Sequence, residues 1–196
     1  MIWSGKASTY EDWIEWYDTL SDGDRDAIRA RIDGMAFRPV ISVVMPVYNT
    51  PHRYLRAAIE SVQAQLYPDW ELCIANDASS DPGIAPLLDG YAKQDPRIKI
   101  VHRESNGHIS AASNSALDIA TGDFVALLDH DDVLSEHALY MVVEAATAHP
   151  DACVIYSDED KLDSGGKRLE PYFKPDFNPE LFHGQNFVSH LGVYRR

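Results

Sequence analysis

Short apolar runs alternate with longer amphipathic segments along most of this chain. Five runs have the length and composition of strands, and the segments between them repeat apolar residues at helical spacing. The predicted strands are residues 40–45, 70–75, 98–102, 124–128 and 152–156, and the predicted helices are residues 54–65, 84–93, 110–120 and 136–149. This alternation is typical of an α/β fold with a mostly parallel, doubly wound, Rossmann-like sheet.

The first 37 residues have a different pattern. Two capping-box pairs, each followed by apolar residues at helical spacing, predict two helices: Thr9 with Asp12, and Ser21 with Asp24. Gly34 is placed to end the second helix. We therefore divide the chain into an N-terminal helical extension, residues 1–37, and a sheet domain, residues 38–196. The aromatic stripe that begins at Trp13 is interpreted as a packing face.

The alternation of strands and helices ends after residue 156. Gly165 and Gly166 predict the turn of a hairpin, and a segment rich in proline and aromatic residues follows from Pro171. This last part is expected to lie outside the regular sheet.

Polar residues follow three of the predicted strands at the point where each strand ends. Tyr48 and Asn49 come after the first strand, Asp77 after the second, and Asp129 and Asp131 after the fourth. In sheets of this kind, ligands bind at the carboxyl ends of the strands. The sequence therefore predicts a binding site at this edge.

The segment Asp129-His130-Asp131-Asp132 carries the clearest chemical signal. It places three carboxylates within four positions after an apolar strand, where they repel one another and need a counter-cation. Asp129 and Asp131 are two apart on an extended segment, point to the same side and suit Mg²⁺ or Mn²⁺. The alternative is an acidic turn that caps the next helix through Asp132 or Ser135.

The 196 residues carry a formal net charge of −14. This charge argues against DNA or RNA as a partner, because affinity for phosphates rests on Lys and Arg. Two like unit charges about 4 Å apart cost roughly 4 kcal/mol at an effective dielectric constant near 20. A diphosphate in an acidic cleft is therefore expected to be held through a metal ion.

Cys73 and Cys153 lie in apolar, strand-like runs, and we expect buried free thiols rather than a disulfide. The N-terminus lacks the apolar stretch of a signal peptide, and no apolar run reaches the ~20 residues that span a bilayer. These features indicate a cytoplasmic protein without a transmembrane segment, which is compatible with peripheral association with a membrane.

Several functional classes lack their motifs in this sequence. It contains no G-x-G-x-x-G after the first strand, no G-x-x-x-x-G-K-[ST], no H-E-x-x-H and no G-x-S-x-G. An EF-hand loop that started at Asp129 would have Leu134 at its turn glycine and Tyr140 at its bidentate glutamate. A dinucleotide fold, a P-loop, a zinc site, an EF-hand and an acyl hydrolase are thus unsupported.

Five groups of residues, in order, resemble the motifs of the family 2 glycosyltransferases, which have the GT-A fold. They are residues 41–49, residues 76–81, residues 106–107 with 112–114, residues 128–132, and residues 156–161 with 173–176. The last group is similar to the branch that builds bacterial surface polysaccharides, including rhamnosyltransferase-like members. The resemblance covers the chain from about Pro39 to Arg196.

The resemblance implies that residues 38–196 form a GT-A nucleotide-sugar-binding domain. Its reaction would transfer a sugar from a nucleoside diphosphate sugar, of the UDP or dTDP type, to a glycan or lipid-linked glycan acceptor with inversion. The metal, Mn²⁺ or Mg²⁺, would be bound by Asp129 and Asp131. The residues implied for the nucleotide sugar are Pro46, Val47, Tyr48, Asn49, Asp77, Asn106, Asn114, Asp129 and His130. Asp77 would accept a hydrogen bond from the base, and the alternative for Asp77 is an Asx turn.

The sequence departs from the family pattern at two points. Asn76 stands where an aspartate is frequent. The family's catalytic base follows a segment of the 192–196 type, so we expect the base beyond Arg196 and the acceptor side of the domain to be incomplete. Asp158 is the candidate base within the chain. Two other functions stay open: a nucleotide-sugar-binding module without turnover, and a nucleotidyltransferase.

Overall fold

The computed structural model describes residues 9–196, and within that range it shows seven helices and eight strands. The helices are α1 (Tyr10–Tyr17), α2 (Asp22–Asp33), α3 (His52–Gln63), α4 (Ile84–Gln94), α5 (His108–Asp118), α6 (Ala138–Ala148) and α7 (Pro179–Gly184). The strands are β1 (Ile41–Val47), β2 (Trp70–Asn76), β3 (Ile98–His102), β4 (Phe124–Leu127), β5 (Val154–Tyr156), β6 (Glu159–Leu162), β7 (Arg168–Tyr172) and β8 (Gly192–Arg195). Residues 1–8 of the predicted N-terminal extension lie outside the described residues.

The central sheet has six strands in the order β3-β2-β1-β4-β8-β5. β1 pairs in parallel with β2 and β4, and β2 pairs in parallel with β3, which confirms the predicted α/β fold with a mostly parallel sheet. β8 was not predicted as a strand. It lies between β4 and β5 and runs antiparallel to both. Its short Gly-Val-Tyr-Arg segment has little alternation of its own, so pairing with two neighbours determines its conformation.

Helices pack on both faces of the sheet. Successive residues of β1 point to opposite faces: Val43 and Met45 enter a large core with residues of α3, α4 and α6, and Val44 enters a smaller core with α5. The α5 contribution to the smaller core is Ala112 and Ala116. Because these side chains are small, α5 can pack close to the sheet.

A buried carboxylate, Glu71, joins the strands at their amino-terminal ends. It accepts hydrogen bonds from Ser42 Oγ (2.6 Å) on β1, from Lys99 Nζ on β3, and from the Thr121 N–H and hydroxyl just before β4. Burial opposes ionisation, but these hydrogen bonds outweigh it and lower the pKa of Glu71 from 4.5 to about 2. Gly122 completes the cluster with an N–H that donates to Ser42 Oγ (2.9 Å), and a Cβ at Gly122 would lie 2.5 Å from a backbone oxygen.

Both predicted capping boxes are present, at Thr9 for α1 and at Ser21 for α2, and α2 ends at Gly34 as predicted. α2 is held against the segment around α6 by two ion pairs. Arg25 Nη2 lies 2.7 Å from Glu136 Oε1, and Arg31 Nη2 lies 2.6 Å from Glu144 Oε2. The extension is therefore anchored next to the loop that follows the acidic turn.

α1 contacts the β6–β7 hairpin, whose turn contains the predicted glycines at positions 165 and 166. The Trp13 ring packs on Phe173 with centroids 5.1 Å apart, whereas Trp16 and Tyr17 are about half-exposed, so the predicted aromatic packing face is confirmed only in part. Arg168 of β7 forms ion pairs with Asp18 and Asp160. These contacts join the extension to the hairpin.

The two cysteines are free, and only one of them is buried. Cys73 lies in β2, an interior strand of the sheet, where burial raises its pKa to about 12. Cys153 is exposed, so the expectation of two buried thiols is wrong for this residue. It lies just before β5, which is an edge strand and is covered less than a central one.

Candidate functional site

The ends of β1, β2 and β4 lie side by side at one edge of the sheet. Val47 pairs with Asn76, and Val44 pairs with Leu127, so the loops after these three parallel strands leave in the same direction. The predicted convergence of strand-end residues is therefore present in the fold. The segments involved are residues 48–50, 77–83 and 128–137.

Within the first segment, Asn49 links two loops. Its backbone has a φ of 50°, a conformation that asparagine tolerates better than most residues. Its N–H donates to Ser79 Oγ (3.0 Å), and its side-chain oxygen accepts the Asp81 N–H (3.1 Å). Asn49 thus sets the relative position of the loops after β1 and β2.

The other residues predicted around Asn49 lie at different depths. Pro46 and Val47 are buried within β1, and Val47 belongs to the large core. Tyr48 is 48% exposed at the strand end. Of these three side chains, Tyr48 is thus the one that a ligand reaches without a rearrangement of the sheet.

Asp77 is enclosed rather than open. Its side chain is 3% exposed; Arg103 Nε lies 2.7 Å from Oδ1, and the Gly107 N–H donates to both carboxylate oxygens at 3.0 and 3.1 Å. Asn106 donates to the Asp77 backbone oxygen at 3.3 Å. The alternative for Asp77, an Asx turn, is not observed there, and the contact of this type is made by Asn76, whose side-chain oxygen accepts the Ser79 N–H. Asp77 therefore holds the loop that begins α5.

The acidic segment forms a turn in which the Asp132 N–H donates to the Asp129 oxygen (3.3 Å). The side chains of Asp129 and Asp131 are 42% and 57% exposed, and His130 Nδ1 lies 3.5 Å from Asp131 Oδ1. The alternative of a helix cap is not observed, because α6 begins after His137 without a side-chain cap. These carboxylates are thus not used by the helix.

The loop that follows the acidic turn is fixed on α3. Ser61 Oγ accepts the Leu134 N–H at 3.1 Å. Gln65 bridges the loop in both directions, since its amide donates to the Ser135 oxygen (2.7 Å) and its oxygen accepts the Leu139 N–H (3.0 Å). The acidic turn is therefore held between a strand and an anchored loop.

A histidine that the sequence did not single out faces this turn. His190 Nε2 lies 3.8 Å from Asp129 Oδ2, and His190 Nδ1 lies 3.5 Å from Asp132 Oδ2. Burial raises the pKa of Asp132 above its ordinary range, His190 opposes this effect, and the neighbouring carboxylates add to it. One ligand atom from each of Asp129, Asp132 and His190 falls within 4.8 Å of the others, so this donor set can hold a divalent cation. Asp131, predicted as a metal ligand together with Asp129, lies outside this set. No signal near residue 190 marks it, because its partners are about sixty positions away.

Asp158, the candidate base within the chain, is exposed, and its Oδ1 accepts the Lys174 N–H at 2.7 Å. Its neighbours bind backbone in the same way: the Leu191 N–H donates to Ser157 Oγ (3.2 Å) and the His190 N–H donates to Glu159 Oε2 (3.1 Å). Ser157 and Glu159 therefore hold the chain that carries His190, whereas Asp158 holds the backbone at Lys174.

Asn114 is separated from the strand-end residues by its place on α5. With Val44, Leu127 and Tyr194 it lines a mostly apolar cavity of about 450 Å³ between α5, β4 and β8. The structure thus places Asn114 at a separate cavity and not among the loops after β1 and β2.

A family model described as Glycosyl transferase family 2 matches residues 42–196. The chain therefore belongs to the family 2 glycosyltransferases, and its α/β fold is the GT-A fold that the sequence resemblance implied.

Among curated relatives, the protein y4gI of Sinorhizobium fredii is 52% identical over 174 residues, and the O-antigen biosynthesis protein RfbC of Myxococcus xanthus is 36% identical over 185 residues. These alignments cover 87% and 94% of this chain, but 19% and 14% of the two relatives. The chain thus spans less than a fifth of the length of either protein.

Two solved structures show the same fold. TarS of S. aureus, residues 1–349 in complex with UDP-GlcNAc, has a TM-score of 0.64 and 24% identity over 79% of this chain and 45% of that one. The mannosyltransferase PcManGT from Pyrobaculum calidifontis, in complex with GDP-Man and Mn²⁺, has a TM-score of 0.56 and 22% identity over 69% and 43%.

Among residues 9–196, none of the helices combines the length and the apolar character needed to cross a membrane.

Proposed function

We propose that this domain binds a nucleoside diphosphate sugar together with Mn²⁺ or Mg²⁺ and transfers the sugar to a glycan acceptor. The observation that carries the proposal is the acidic turn at the end of β4, beside the ends of β1 and β2, in a family 2 chain. Its carboxylates are partly exposed and do not cap helix α6. Ligands bind at such strand ends in sheets of this kind.

Different residues at the strand ends would bind different parts of the nucleotide sugar. The β1 and β2 ends, with Tyr48 and Asn49 exposed and Asp77 enclosed behind them, would receive the base and the ribose. Asp129 and Asp131 would hold the cation, which neutralises the charge of the diphosphate leaving group. UDP or dTDP is the nucleotide that we propose; TarS binds UDP-GlcNAc and PcManGT binds GDP-Man, so the fold itself accommodates different bases.

Inverting transfer would form one bond and break one bond at the anomeric carbon. The acceptor oxygen forms the new bond, the diphosphate oxygen leaves with the bonding electron pair, and the acceptor proton passes to a base. Such a base typically contributes about 10²–10⁴-fold to the rate. Because Asp158 accepts a backbone N–H from Lys174, a binding module without turnover is the second function that we consider.

The test is calorimetric titration of UDP, dTDP and GDP into chelator-treated protein, with and without Mn²⁺. Carboxylates that face a diphosphate repel it, so we expect affinity to require the metal. Asp131→Asn should remove most of the metal-dependent part. Asp118→Asn is the matched control, since Asp118 is an exposed aspartate at the C-terminal end of α5, away from the strand-end loops. Equal affinity in chelator and in Mn²⁺ would refute the proposal, and consumption of a nucleotide sugar separates transfer from binding alone.

A further inference from the structure

We infer that His190 is a protein ligand of the divalent cation and biases the site toward Mn²⁺ over Mg²⁺. This rests on the metal-dependent site proposed above, to which it adds a residue from the segment just before β8. Carboxylates and water suit Mg²⁺ and Mn²⁺ alike, whereas an imidazole nitrogen favours the transition metal.

The spacing of the donor atoms fits a six-coordinate ion. Ligand atoms about 2.1 Å from an ion lie about 3 Å apart when adjacent and about 4.2 Å apart when opposite. His190 Nε2 lies 3.8 Å from Asp129 Oδ2, between these two values. Shifts of well under 1 Å would therefore bring the atoms to coordination distances.

The two ring nitrogens of His190 face different carboxylates, Nε2 toward Asp129 and Nδ1 toward Asp132. A histidine that binds a metal through one nitrogen usually donates the other N–H to a carboxylate or carbonyl, which fixes the ring. This arrangement thus supplies both a ligand and its orienting partner.

The backbone at His190 is held by buried charge. Lys174, whose side chain is 1% exposed, donates from Nζ to the carbonyl oxygens of Val188 (2.8 Å) and His190 and lies 3.3 Å from Glu159 Oε2. Glu159 in turn accepts the His190 N–H. Because a buried ammonium is costly unless it is fully paired, this cluster holds a single backbone position. Glu159 and Lys174, which lie in the segments 156–161 and 173–176, thereby position His190.

The experiment is pulsed electron paramagnetic resonance of Mn²⁺ bound to chelator-treated protein. A directly coordinated imidazole modulates the electron spin echo through its ¹⁴N nucleus. We expect this modulation in the wild type and in His130→Gln, the matched variant of a histidine on the same turn, and its loss in His190→Gln. We also expect His190→Gln to weaken Mn²⁺ binding by about tenfold or more, the size of effect seen even for outer-shell residues, with a smaller change for Mg²⁺.

The outcomes separate the two proposals. Bound Mn²⁺ without ¹⁴N modulation in the wild type, or modulation that persists in His190→Gln, overturns the role of His190 and leaves nucleotide binding to be judged by calorimetry. Mn²⁺ that shows the His190 signal while no nucleotide binds overturns the proposed function alone. If the wild type binds neither Mn²⁺ nor Mg²⁺, both proposals are wrong, and binding of Mg²⁺ alone overturns the role of His190.

Discussion

Replacing Glu71 by glutamine tests the carboxylate cluster that joins the amino-terminal ends of the strands. The side chain is 8% exposed and its pKa is lowered from 4.5 to about 2 by the groups that donate to it, against the opposing effect of burial. At about 1.4 kcal/mol per pKa unit, this difference corresponds to about 3 kcal/mol of stability that requires the charged form. Glutamine keeps the size of the side chain and removes that charge.

The sign of the pH dependence follows from the lowered pKa. A carboxylate whose pKa is lower in the folded state stabilises the fold fully above its unfolded pKa, here about 4.5, and loses this effect as the pH falls toward 2. For these two values, about 2 kcal/mol is lost between pH 6 and pH 3. Glu71→Gln lacks this titration, so the gap in stability between the two proteins should narrow as the pH falls.

The assay is urea unfolding followed by circular dichroism at pH 6 and at pH 3. Other carboxylates titrate in the same range, but they are common to both proteins and cancel in the difference. Glu104→Gln serves as the control, because Glu104 is exposed in the loop after β3. A gap that is the same at both pH values would show that the ionisation of Glu71 does not stabilise the fold.

Two further changes test one ion pair at the site and one set of ion pairs between the N-terminal extension and the β6–β7 hairpin. Asp77→Ala should destabilise the fold by about 3 kcal/mol in urea unfolding, because it leaves Arg103 without its buried partner. The control Asp81→Ala, at a half-exposed position, should change the stability little. An Asp77→Ala variant as stable as the wild type would show that Asp77 serves only the ligand. Arg168→Met should speed amide hydrogen exchange in α1, since it removes the ion pairs to Asp18 and Asp160. Unchanged exchange in α1 would show that Arg168 does not anchor this helix.

Much of the fold could be predicted because its signals are local. Each predicted strand and helix of the sheet domain is present with its ends within two residues of the structure, and both capping boxes form. What escaped prediction depends on distant partners. β8 becomes a strand by pairing with β4 and β5, and Cys153 is exposed because its strand lies at the sheet edge.

The candidate site divides in the same way. The acidic turn and the strand-end residues were visible because each follows an apolar run, and the order of the sheet brings them together. Neither His190 nor Arg103 was marked as a site residue by the sequence pattern around it. Their positions come from contacts with residues of other loops, Asp129 in one case and Asp77 in the other.

The two ends of the site differ in how far they are organised before a ligand binds. At the Asp77 end, Arg103 and the Gly107 N–H already fix the carboxylate, whose side chain is 3% exposed. At the acidic end, three side chains are 42–57% exposed and repel one another. Under the proposed function, a base at the first end would meet a rigid side chain, whereas the second end would gain order when a cation binds. The metal-dependent part of nucleotide affinity should therefore arise from the phosphates, and a nucleoside without phosphates should bind equally well in chelator and in Mn²⁺.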